Sequence, residues 1–163
     1  MRISDIRTGS VFLDTNILIY AFTNTRFTPV CEELLEKTRQ GEITGFLNST
    51  VIDEFFHKAL IMEVYAEKGL QPAEAVAFLK QNPDSVADFT LPFSITQEVL
   101  HDYNLTVLDT APVLDEALSF SHRYGLLFSD ALHAASCSHY AIHHLVTNDR
   151  DFSRLDQLSV VAP

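Results

Sequence analysis

The sequence predicts an α/β protein built on a parallel sheet, and three observations carry that prediction. Short, continuously apolar stretches alternate along the chain with amphipathic, helix-length segments, the pattern of a sheet covered by helices on both faces. The stretches are separated by crossovers rather than tight turns, as parallel neighbours require. Acidic residues recur just past the stretches, at the carboxyl edge where open α/β sheets bind ligands.

Val11, Phe12 and Leu13 form the first predicted strand, with Asp14 at its carboxyl end. Asp14, Thr15 or Asn16 also suits the cap of a helix starting near Ile17, so this stretch alone leaves a site and a cap open. Residues 1–9 read as a lead-in, with Asp5 a solvated charge. Residues 27–40 place Val30, Leu34 and Leu35 among Glu32, Glu33, Glu36, Lys37 and Arg39, an amphipathic helix ended by Gly41. A second strand is predicted over 43–47, paired in parallel with the first across that helix.

Thr50 then opens a long helix in which Val51, Ile52, Phe55, Phe56, Ala59 and Leu60 recur at helical spacing. Thr50 and Asp53 fit a capping box. Glu54 has no part in that cap, and its place in the first turn puts it at the same sheet edge as Asp14. A solvent-facing carboxylate favoured by the helix dipole also fits it. Residues 66–104 read as a helical insertion or appendage on a single domain spanning 1–163. Pro72 begins a short helix over 72–80, Asn82-Pro83-Asp84-Ser85 and Leu91-Pro92 are breakers, and a third helical piece lies near 95–101. A lid, a dimer contact and a packing appendage all remain open for it.

A third strand is predicted over 105–108, followed by an amphipathic helix over 112–124 closed by Gly125. Ser129 is the predicted cap of the next helix, whose Ala131, Ala134 and Ala135 suit close packing on a sheet. Asp130 in its first turn should reach the same carboxyl edge. Residues 145–147 and 158–161 supply the fourth and fifth strands, and Asn148-Asp149-Arg150-Asp151 follows the fourth.

At 163 residues the chain is long enough to bury a core without disulfides, and 47% hydrophobic with 20% charged residues is a globular profile. No apolar run approaches the ~20 residues of a membrane span. No signal-peptide pattern opens the chain, so a cytoplasmic protein with Cys31 and Cys137 as reduced thiols is expected. Eleven basic against 22 acidic residues, a formal charge of -11, argue against a broad basic nucleic-acid surface. A metal-dependent enzyme acting on a polyanion escapes that objection, because clustered carboxylates share a cation.

Asp14, Glu54, Asp130 and Asp149 lie far apart in sequence, yet a parallel sheet brings each to one edge. So many like charges cannot all stay ionised without a cation, and all-oxygen ligation suits Mg²⁺ or Mn²⁺. A zinc set from His133, Cys137, His139, His143 and His144 lacks the tight paired spacing of structural zinc sites. An aspartyl phosphatase would carry a second Asp two residues after Asp14, where Asn16 stands.

Leu-Asp-Thr-Asn at 13–16, Asp-Glu-Phe-Phe-His-Lys at 53–58, Ser-Asp-Ala-Leu-His-Ala-Ala at 129–135 and Val-Thr-Asn-Asp-Arg-Asp-Phe at 146–152 resemble, in order, the motifs of PIN-domain nucleases. The similarity covers nearly the whole chain. It implies a three-layer α/β/α fold, a five-stranded parallel sheet of order 3-2-1-4-5, and metal-dependent cleavage of RNA. Position by position it implies Asp14, Glu54 and Asp130 as catalytic, metal-binding acids and Asp149 as the more variable fourth. Asn16 and Thr147 would support them, with Asp151 an alternative fourth acid. Small bacterial and archaeal PIN proteins of this kind resemble VapC-type toxins, which implies a small antitoxin partner and a homodimer. Lys58, Arg123, Arg150 and Arg154 are the nearest candidates for contact with RNA. The rival reading is a catalytically silent PIN fold that binds RNA or protein.

Overall fold

The structure is a computed structural model describing residues 2–163. Strands β1 (Ser10–Leu13), β2 (Thr44–Asn48), β3 (Leu105–Leu108), β4 (His144–Val146) and β5 (Ser159–Val161) form one parallel sheet in the order β3-β2-β1-β4-β5. The predicted fold class and strand order are those observed. β1 is central because it alone is apolar at every inner position: Val11, Phe12 and Leu13 are all fully buried, so both faces of the strand are covered. Phe12 lies opposite Phe46 of β2 and Leu145 of β4, which fixes the register at the centre of the core.

Seven α-helices of the described residues connect the strands: α1 (Thr15–Ala21), α2 (Thr28–Arg39), α3 (Ser49–Lys68), α4 (Pro72–Gln81), α5 (Leu91–His101), α6 (Leu114–Tyr124) and α7 (Phe128–His139). α1 packs on α2 and α3, α5 returns onto α3, and α6 pairs with α7. The lead-in is more tied down than its sequence suggests. Ile3 and Ile6 are buried, and Arg2 bridges Ala162 beside the last strand.

Three local expectations fail for identifiable reasons. The cap of α3 is not Thr50 with Asp53 but Asn48, the last residue of β2, whose extended backbone lets its side chain accept from the Val51 N–H at 3.2 Å. The helix therefore starts earlier, and Glu54 lies in its second turn. α7 begins at Phe128 after Leu127, without a side-chain cap from Ser129. Leu91-Pro92 is not a break. Pro92 falls in the first turn of α5, where a missing N–H leaves no bond unmade, so that helix starts at Leu91 rather than near 95.

Within 66–104, α4 rests on the outer half of α3 through a small core of its own, made of Leu60, Ile61, Val64, Ala75, Leu79 and Phe89. α3 ends at Gly69, whose φ of 68° lets its N–H bond the Tyr65 carbonyl at 2.8 Å and turns the chain back towards α4. α5 belongs to the main core through Val99. No helix among the described residues is long and apolar enough to cross a membrane.

Gly45 of β2 is set by close approach. A Cβ there would meet Leu105 Cδ2 at 2.4 Å and Thr38 Cγ2 at 2.9 Å. Thr38 is buried and held by its hydroxyl, which donates to the Leu35 carbonyl at 2.7 Å, so it has little room to move. Gly45→Ala is therefore expected to lower stability by about 1–3 kcal/mol, read as a shift of the urea midpoint at constant m-value.

Candidate active site

The carboxyl edge of the sheet collects the polar residues. β1 ends by presenting Asp14, which is only 7% exposed. Its Oδ1 accepts from the Thr15 N–H at 2.6 Å. Its Oδ2 accepts from the Thr147 hydroxyl at 2.5 Å and from the Asn16 side-chain amide. Asp14 is thus the cap of α1 and the hub of the edge at once; the two readings of the sequence do not exclude each other. Asn16 Oδ1 accepts from the Asn148 N–H at 3.1 Å, and Thr147 Oγ1 accepts from the Asp149 N–H at 2.9 Å. Asn16 and Thr147 thereby pin the loop after β4 to the start of α1, with the Asp14 carboxylate between them. Burial raises the Asp14 pKa. The Thr147 and Thr15 bonds oppose that rise, and the nearby Glu54 charge adds to it.

Glu54 reaches in from α3. Thr15 donates its hydroxyl to Glu54 Oε2 at 2.8 Å, and the Lys58 ammonium, one turn along the helix, lies 2.7 Å from Oε1. Burial works to raise the Glu54 pKa, but the Lys58 and Thr15 contacts outweigh it and hold the carboxyl below its usual range. Asp130, in the first turn of α7, is half-buried and carries no such partner. Burial, followed by the charges of Asp14, Asp149, Glu54 and Asp151, pushes it up to about 6. Asp130 therefore registers the whole acidic group electrostatically.

Asp149 and Asp151 differ in what already holds them. Asp149 is exposed, caps the short 3-10 turn Arg150–Arg154 by accepting from the Asp151 N–H at 2.8 Å, and lines an open cleft of about 510 Å³ with Asn16, Tyr20, Lys58, Asn148 and Arg150. Asp151 is paired with Arg154 at 2.8 Å. Of the four cations singled out in the sequence, Lys58 and Arg150 line this cleft. Arg154 also donates to the Gly125 carbonyl at 3.1 Å, and Arg123 stacks on Tyr124 on α6.

His133 is the residue that sequence reasoning undervalued. It is 1% exposed, its Nε2 is 4.0 Å from Asp14 Oδ1, and Asp14, Glu54 and His133 each bring one ligand atom within 4.8 Å of the others. A signal was available, since His133 follows Asp130 by three residues and so shares its helix face. The other members of the zinc set lie elsewhere. Cys137 borders a separate cavity beside Phe120 and Tyr124, and burial pushes its thiol up. His143 and His144 contact Ser10 and Ser159, at the amino ends of β1 and β5.

A family model described as PIN domain matches residues 11–158 of this chain. The chain belongs to the PIN domain family. Among curated proteins it is similar to Ribonuclease VapC2 of Methanocaldococcus jannaschii, 27% identical over 161 residues that span 99% of each chain. Ribonuclease VapC6 of the same organism is 27% identical over 156 residues, covering 94% of this chain and 97% of its own. Among solved structures, VapBC2 from Rickettsia felis bound to a promoter DNA fragment has a chain that superposes with a TM-score of 0.59 at 20% identity, covering 94% of this chain and 98% of its own. This PIN domain has the donor chemistry for a hard divalent ion. The carboxylates of Asp14 and Glu54 converge beside the His133 imidazole, and the like-charge repulsion that adds to burial in raising the Asp130 pKa is what a bound dication relieves.

Proposed function

We propose that this PIN domain is a metal-dependent endoribonuclease acting in the cytoplasm as the toxin of a toxin-antitoxin pair. The observation that carries the proposal is the meeting of Asp14 and Glu54 at the carboxyl edge of the sheet, their ligand atoms within 4.8 Å of each other and of His133; the half-buried Asp130 lies near enough for their charges to add to burial in raising its pKa. The names of the two archaeal ribonucleases and the VapBC structural neighbour support it. Asp14, Glu54 and Asp130 would hold Mg²⁺ or Mn²⁺, with Asp149 as the fourth acid at the open side. When bound, the ion supplies polarisation of the scissile phosphate and a lowered pKa for an attacking water. Thr147, Thr15 and Asn16 keep the Asp14 oxygens oriented, and Lys58 sets the charge state of Glu54. Asp151 is left to hold Arg154.

Lys58 and Arg150 give this acidic protein a local grip on an RNA phosphate. Lys58→Ala is expected to lower single-turnover cleavage by roughly tenfold. The loss should be greater at low salt, and Lys58→Arg should recover most of it. An apolar groove between α3 and α4, lined by Ile61, Met62, Tyr65 and Pro72, is the surface proposed for the antitoxin. The exposed Leu114 and Leu118 of α6 are proposed for pairing with a second copy.

Incubation of the purified protein with single-stranded RNA and Mg²⁺ or Mn²⁺, against EDTA and Asp14→Asn controls, tests the proposal. Metal-dependent cleavage lost in the variant is the expected outcome. RNA binding without cleavage under every condition identifies a silent PIN fold instead.

A further inference from the structure

A buried polar chain runs from the start of α3 to the carboxylate at the end of β1. The Val51 N–H is an obligatory donor and meets Asn48 Oδ1. The other end of that amide, Nδ2, therefore faces His133 Nδ1 at 3.2 Å and Ser136 Oγ at 3.4 Å. An amide nitrogen only donates, so His133 Nδ1 accepts. A doubly protonated ring would set two donors against each other, and the single ring proton must sit on Nε2. Asn48, His133 and Ser136 are all 1% exposed or less, so bulk solvent offers no alternative partner.

The 4.0 Å between His133 Nε2 and Asp14 Oδ1 suits two opposite arrangements. One is a cation shared between two lone pairs; the other is an N–H dipole set against a carboxylate. The tautomer decides between them. We infer that His133 is a positioning residue, held by Asn48 as its Nε2–H tautomer, which turns a donor to Asp14 and stays out of metal ligation. This rests on the reading of Asp14 as a metal ligand. It also assigns the site a selectivity: with the imidazole nitrogen that faces Asp14 protonated, the acidic group is left with oxygen ligands, which favours Mg²⁺ or Mn²⁺ over zinc. The Phe12 ring, 5.2 Å from the imidazole centroid, helps hold the ring in place.

Long-range ¹H–¹⁵N spectra of the full chain, free of metal, test the tautomer, with the spectrum of a folded His133→Gln assigning the His133 resonances. Nδ1 is expected as a bare, pyridine-type nitrogen and Nε2 as a protonated, pyrrole-type one, both keeping their type when Mg²⁺ or Zn²⁺ is added. A protonated Nδ1, or an Nε2 that loses its proton to Zn²⁺, overturns the inference. In Mg²⁺ titrations of the same protein, His133→Leu is expected to weaken binding about tenfold or more, while His133→Gln, which retains a side-chain donor, stays within about threefold of wild type. Unchanged Mg²⁺ affinity in a folded His133→Leu also overturns it. The Nε2–H form seen with no saturable response to Mg²⁺ supports the tautomer assignment and overturns the metal reading itself.

Discussion

Asp14→Asn is expected to reduce metal-dependent RNA cleavage by about 10³-fold while leaving the melting temperature of the metal-free protein within a few degrees of wild type. The two halves of this result have separate causes. Activity falls because a buried anionic ligand at the centre of the acidic group becomes neutral. Stability holds because burial already penalises the Asp14 charge and Glu54 adds repulsion, so the fold gives up an unfavourable ion. Something is lost in exchange. The Thr15 N–H keeps the remaining carbonyl oxygen, so the new amide nitrogen must face Asn16 and Thr147. The Thr147 hydroxyl already accepts from the Asp149 N–H and the Asn16 amide, so it can accept from the new nitrogen only by releasing the Asn16 bond, and the Asn16 amide cannot turn to accept without giving up its bond from Asn148. Cleavage assays and thermal melts with and without Mg²⁺ check both halves. A melted variant, or one with full metal-dependent activity, would falsify the assignment of Asp14.

The second large effect concerns Asp130. A carboxyl whose folded pKa lies above its unfolded value contributes stability that is complete below the unfolded pKa and is lost as pH rises through the folded one. For Asp130 the window runs from about pH 4 to just above its folded value of about 6. Wild type alone will not display this cleanly, because His133 works in the opposite sense over the same range. Burial depresses its pKa to about 4, so it withholds a proton that the unfolded chain accepts, and stability falls as pH drops below its ordinary value. The difference between variant and wild type removes His133 from the comparison. Asp130→Asn is expected to melt close to wild type near about pH 4 and progressively above it towards about pH 7. Millimolar Mg²⁺ should close the gap by stabilising wild type alone. A gap that stays constant with pH would show that neither burial nor the neighbouring acids raise the Asp130 pKa on folding.

Much of the fold was legible in the sequence because its strongest signals are redundant. Val11, Phe12 and Leu13 announce a strand buried on both faces, and the helix-length crossovers leave a parallel sheet as the economical arrangement. Strand ends were off by a residue, as at β2 and β4, where hydrogen bonding rather than apolarity sets the limit. The meeting of Asp14 and Glu54 at one edge followed from topology, since each comes soon after the end of a parallel strand. What stayed hidden were side chains whose role depends on a partner distant in sequence. Asn48 falls between the second predicted strand and the helix predicted to open at Thr50, and it proved to be a buried cap bonded to His133, 85 residues away. Thr15 read as a possible cap, and its hydroxyl instead holds Glu54. No local pattern encodes either contact. Pro92 misled for the reverse reason, being a breaker inside a helix and a favourable residue at its start.

The small apolar cluster beneath α4 is separate from the core that carries β1. Substitutions that do not share packing partners tend to act independently. The outward side of α4 can accordingly diversify, in response to whatever it meets, at an energetic penalty confined to Leu79, Phe89 and their neighbours. The Asp14, Asn16 and Thr147 arrangement sits over the other core, so a change confined to the α4 cluster leaves the carboxyl edge of the sheet undisturbed.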